Sequence, residues 1–162
     1  MNEKSIELLN KAVADELSAV HQYMYFHFHC DDTGYDLLAT LFRQTAIEEM
    51  RHVEVLAERI LFLGGDVEMV VGEAVQKIRD VAGMLARARE MEEESARAYN
   101  IWANECAANN DAVSRQIFEE LIAKEERHYD QFDVELQHLK QFGDQYLALQ
   151  SIERSKHIVD EG

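Results

Sequence analysis

The 162-residue chain contains no proline, against a usual frequency of about 5%. Its seven glycines are thinly scattered, so little interrupts a helix, and the composition argues against a sheet with many turns. Two cysteines far apart, without CxxC spacing, rule out a disulfide framework and a zinc knuckle. No apolar run approaches the ~18 residues of a membrane span. The opening MNEKSIELLN lacks the charged-then-apolar order of an export signal. Basic residues are also scarce: 16 Lys and Arg stand against 32 Asp and Glu, a net charge of −16. No basic block offers an arm to nucleic acid, and an acidic surface repels phosphate backbones and anionic membranes. A soluble cytoplasmic protein with neither nucleic acid nor membrane as partner is expected.

What is present is helical periodicity over a single domain, 1–162. Amphipathic segments cover about 3–31, 36–63, 80–108 and 111–141, with a shorter one at 145–156. Helices of ~28 residues are ~42 Å long, and four of them make a bundle. The link over 64–79 is longer than the turns that join bundle neighbours. It can reach the length of a helix, which predicts two antiparallel hairpins joined by a long crossover. The fold class is all-α, a four-helix bundle with a short C-terminal fifth helix.

Two short stretches, EEMRH and KEERH, each place a glutamate three residues before a histidine: Glu49 and His52, then Glu125 and His128. The ExxH pattern alone is weak, because Glu135 also precedes His138 by three. The discriminating signal lies upstream. Thirty-three residues before Glu49 stands Glu16, and thirty-three before Glu125 stands Glu92 (49 − 33 = 16, 125 − 33 = 92). The third copy fails, since 135 − 33 reaches Trp102. The two halves superpose with an offset of 76, the separation of His52 and His128, and Tyr23 on Tyr99 and Cys30 on Cys106 fall into the same register.

Each of these carboxylates interrupts the apolar stripe of its helix about 13 residues in, which antiparallel packing brings to one level mid-bundle. Four ionised carboxylates in an apolar core are untenable unpaired. No Lys or Arg occupies the stripes at that level, so two divalent metals, with one imidazole each, are expected. Mixed oxygen and nitrogen ligands suit Fe or Mn, and the absence of core thiolates argues against a soft-metal site. The alternative is that these glutamates face solvent, six residues sharing one register by accident.

With those residues in place, the chain resembles the ferritin-like superfamily and, within it, the bacterioferritins. ADELSAVHQYMYFH, IEEMRHVEVLAERILFLGG and AKEERHYDQFDVELQHLKQFG are similar to three of that family's helices, and the ligand pattern is the known one of di-iron carboxylate bundles. The resemblance implies a ferritin-like subunit of a hollow 24-subunit shell that stores ferric mineral. It implies a ferroxidase that oxidises Fe²⁺ to Fe³⁺ with O₂ or H₂O₂, with a ferredoxin-type reductant for iron release. Glu16 and Glu92 would each bind one iron terminally, Glu49 and Glu125 would bridge the two irons, and His52 and His128 would cap one each. Tyr23 resembles a family tyrosine beside the centre, either donating an electron or hydrogen-bonding a ligand. Met50 points away from the core, and its place in the motif is that of a methionine which, with its copy from a second subunit, holds haem b. The bland reading is a methionine packed against a neighbour.

Gln44 and Glu48 stand where some family members carry His and Asp on the inner surface, a departure that puts iron passage there in question. His21, His27 and His29 read as packing or surface residues, Glu135 and His138 as solvated. Cys30 and Cys106 read as free thiols near opposite ends of the bundle. Two other functions remain open: a non-storing di-iron or di-manganese redox enzyme of peroxidase type, and a DNA-protecting shell protein of starved cells. The latter usually places its iron site between subunits and often has a basic tail.

Overall fold

The computed structural model describes residues 2–161, the side chains of His157 and Glu161 excepted. Five helices follow in order: α1 (Glu3–Thr33), α2 (Asp36–Phe62), α3 (Val81–Ala108), α4 (Ala112–Phe142) and α5 (Asp144–Glu161). With no proline in the chain, every peptide within the long helices keeps its N–H. The breaks fall where the side chains supply them. Gly34 ends α1 in the left-handed region, at φ 88°, a conformation that only glycine adopts freely. Asp80 and Asp111 open α3 and α4, accepting from the backbone N–H of Gly83 and Ser114. Asp111 also takes the Arg59 guanidinium at 2.6 Å, tying the end of α2 to the start of α4.

α1 packs chiefly on α2 and α3 on α4, giving two hairpins. The connection between them is built onto α1 by residues four apart, which share one helical face. Asn10 Nδ2 donates to the Asp66 carbonyl while its Oδ1 accepts from Glu68 N. The Ala14 carbonyl accepts from Gly72 N, Ser18 Oγ from Glu73 N, and Gln22 exchanges two bonds with the Gln76 backbone. The strap therefore runs parallel to α1, and α3 begins where α1 ends. Gly65 lets it depart: a Cβ there would sit 2.6 Å from Ile6. Helices α1 and α3 consequently run in opposite directions. Cys30 lies against Met84 at one end of the bundle and Cys106 against Ser5 at the other, both as free thiols.

The apolar core is in two parts. Tyr23, Phe26, Phe42, Leu85, Phe132 and Leu136 fill one, and Leu9, Val13, Leu56, Tyr99, Phe118 and Leu121 fill the other. Between them lies a polar layer. Helix α5 is longer than the 145–156 expected and is held to the bundle by side chains: the Gln150 carbonyl accepts from Leu38 N at 3.0 Å. Arg154 reaches both Asp31 and Asp36. Tyr146 donates to Glu135, so Glu135 is half-buried and bonded rather than solvated, while His138 is exposed.

Candidate metal centre

The polar layer consists of Glu16 from α1, Glu49 and His52 from α2, Glu92 from α3, and Glu125 and His128 from α4, all buried. Their ligand atoms form two overlapping sets, Glu16, Glu49, His52, Glu125 and Glu49, Glu92, Glu125, His128, each within 4.8 Å. Glu49 and Glu125 belong to both. His52 Nδ1 lies 3.0 Å from Glu125 and 3.4 Å from Glu16. His128 Nδ1 lies 2.6 Å from Glu49 and 3.7 Å from Glu92. The two imidazoles stack at 6.0 Å between centroids across the site.

The donor set is tested for a metal by what its atoms lack. Glu16 Oε2, Glu49 Oε1, Glu92 Oε2, Glu125 Oε1 and both Nδ1 atoms are buried without a hydrogen bond. Such groups normally find a partner, and here one carboxylate or imidazole from every long helix aims an unsatisfied atom at the same small volume. The other oxygens of Glu16 and Glu92 are held from outside. Tyr23 Oη donates to Glu92 Oε1 at 2.6 Å, and Tyr99 Oη donates to Glu16 Oε1 at 2.7 Å. These atoms fit two cations.

Electrostatics agree. Burial, reinforced by the neighbouring carboxylates, raises Glu49 and Glu125 well above the usual carboxylate range. Glu16 is lowered: burial opposes its charge, but bonds from Glu49, His52 and Tyr99 outweigh it. His52 is pushed up to about 9, burial being overcome by the close approach and charge of Glu16 and Glu49. Without metal, protons must do what cations would do.

The ferritin-like domain family matches residues 6–142 of the chain. The bacterioferritin of Desulfovibrio desulfuricans is 38% identical over 90% of this chain and 81% of its own. The chain belongs to the bacterioferritins. That of Brucella melitensis is 34% identical over 88% of each chain. Among solved structures, a D. desulfuricans bacterioferritin with a diiron site in different catalytic states superposes with a TM-score of 0.90. It is 37% identical and covers 91% of this chain and 86% of its own. The Rhodobacter capsulatus bacterioferritin, described with a metal-free dinuclear site and a haem iron in a crystallographic special position, superposes at 0.88. Its identity is 32%, covering 92% of this chain and 93% of that one.

Within this bacterioferritin fold, six of the singled-out residues converge, Tyr23 bonds one of them and Met50 stands apart. Tyr23 reaches Glu92, the ligand candidate of the opposite hairpin, rather than Glu16 on its own helix. Met50 is 47% exposed on the outer side of α2. His21 is exposed, His27 bonds the Ala39 carbonyl, and His29 packs on Tyr25. Gln44 is exposed. Two contributors were missed. Tyr99 mirrors Tyr23, and the offset of 76 had already paired them. Glu48 bonds His128 Nε2 at 2.6 Å, which no pattern along one helix announces, because the partner lies 80 residues away.

Proposed function

We propose that the chain is an iron-storing ferroxidase subunit that assembles, as 24 copies, into a hollow cytoplasmic shell. The observation that carries the reading is the pair of overlapping ligand sets whose inward atoms are buried and unsatisfied. Glu16 and His52 would hold one iron and Glu92 and His128 the other, with Glu49 and Glu125 shared between the two sets. A pair of irons held there would supply two electrons together to O₂ or H₂O₂, without free one-electron oxygen radicals. The chain's own groups set the conditions. Carboxylate oxygens favour the harder Fe³⁺ product. The tyrosines orient Glu16 and Glu92, and Glu49, Glu125 and His52 give up protons as Fe²⁺ enters. The apolar layers on either side exclude bulk water.

Met50 supports a haem reading. Its thioether is a soft ligand on an outward face, and the Rhodobacter relative holds its haem iron in a special position. Two copies of Met50 would bind haem b between paired subunits, providing a one-electron relay for mineral reduction by a ferredoxin-type partner. Met50→His should then alter the haem spectrum; a packing methionine has no haem band to alter.

The deciding experiment adds Fe²⁺ in small aerobic or peroxide-driven increments and counts iron per chain after gel filtration. Tens of irons per chain in a large particle support storage. A plateau near two, the capacity of the centre alone, overturns storage and leaves a non-storing redox enzyme. Glu125→Ala should abolish fast iron oxidation with assembly intact.

A further inference from the structure

The repeat that builds the centre is nearly complete. With the offset of 76, Glu16, Glu49, His52, Tyr23 and Arg51 fall on Glu92, Glu125, His128, Tyr99 and Arg127. One position beside the ligands reverses its charge: Glu48 falls on Lys124. Both line a single cleft with Arg51, His52 and Arg127 at the edge of the centre. Glu48 Oε2 accepts from His128 Nε2 and from Arg127 Nη2, each at 2.6 Å. Among the described residues, His52 has no hydrogen-bonded carboxylate at its Nε2, and Lys124, an obligate donor, occupies the equivalent place.

Resting on the six-ligand reading above, we infer that the two metal positions are unequal, because Glu48 orients and strengthens His128 as a ligand whereas Lys124 opposes the cation at His52. A bond from Nε2–H to Glu48 fixes the tautomer, so the Nδ1 lone pair faces Glu49, Glu92 and the ion between them. A carboxylate behind an imidazole also raises its basicity toward the metal, and losing such a partner typically costs about 10–100-fold in affinity. On the other side an ammonium cannot accept from imidazole, and its field repels a divalent ion. The ion at Glu92 and His128 binds first and leaves last; the ion at Glu16 and His52 is the exchangeable one. Glu48 is thus a positioning residue, acting through His128.

The test is Co²⁺ titration of the chelator-stripped assembled protein, read by ligand-field absorption. Two Co²⁺ per chain should bind in two steps at least about tenfold apart. Glu48→Gln should weaken the tighter step about 10–100-fold and shift only that ion's bands. In a His52→Ala background the same change should weaken the remaining ion. In a His128→Ala background it should do nothing. Lys124→Gln should tighten the weaker step. Equal effects of Glu48→Gln on both ions, or none on either, overturn the inference while leaving the centre standing. Fewer than two Co²⁺ per wild-type chain overturns the six-ligand reading as well.

Discussion

Loading the centre should expel protons, and their number follows from the structure. In the metal-free protein, burial and the carboxylates they face raise Glu49 and Glu125 well above the usual carboxylate range. Burial opposes the charge of His52, but Glu16 beside it holds its pKa up at about 9. Two divalent ions on four carboxylates and two neutral imidazoles require the His52 proton, and any that the buried carboxyls hold, to leave. His128, also raised, adds in the same direction. Binding two Zn²⁺ at pH 7 is therefore expected to release at least about one proton per chain. The joint binding constant should rise at least about tenfold from pH 6 to 7, the factor for the one His52 proton. Titration in weak buffer with an indicator dye, or calorimetry in two buffers of different ionisation enthalpy, measures the number directly. Glu125→Gln should lower it. Release of less than one proton would refute the reasoning, because ions at exposed, already ionised carboxylates displace none.

The same raised histidine governs stability without metal. A folded pKa above the ordinary 6.5 stabilises the fold fully below 6.5 and loses that contribution as pH rises through about 9. The metal-free protein should lose on the order of 3 kcal/mol over that interval; a thermal melting point that is flat or rising from pH 6.5 to 9 would contradict it, while the metal-loaded protein should show no such fall. Tyr23→Phe and Tyr99→Phe should each slow iron oxidation by about tenfold, each deleting one charge-assisted bond of about 1.5–3 kcal/mol. Stopped-flow rates that collapse for Tyr23→Phe alone would point to electron donation instead. Gln150→Ala removes the acceptor from the buried Leu38 N–H, and chemical denaturation should show a loss of about 1–3 kcal/mol. A change below about 0.5 kcal/mol, the scatter of ordinary surface substitutions, would mean that α5 is held by other contacts.

Legibility followed the range of the signal. The bundle was readable because each helix repeats its apolar residues along one face, and the long link over 64–79 was readable because a bundle turn is short. The four glutamates and two histidines could be nominated because each hairpin repeats one spacing. Tyr99 was within reach through the same offset. The targets of the tyrosines were not, since Tyr23 crosses to Glu92, 69 positions away. Glu48 was read as an inner-surface residue, because its distance from His128 depends on how α2 and α4 face each other.

By itself the sequence determined the helices, their caps and the doubled ligand spacing, since all of these are local properties of one chain segment repeated. Only the tertiary structure decided which carboxylate faces which imidazole, that the crossover lies along Asn10, Ala14, Ser18 and Gln22, and that one histidine of the pair is backed by a carboxylate. Those depend on how helices rotate and slide against one another. A helix shifted by a single residue turns its side chains by about 100°, so no periodicity within a helix carries that information.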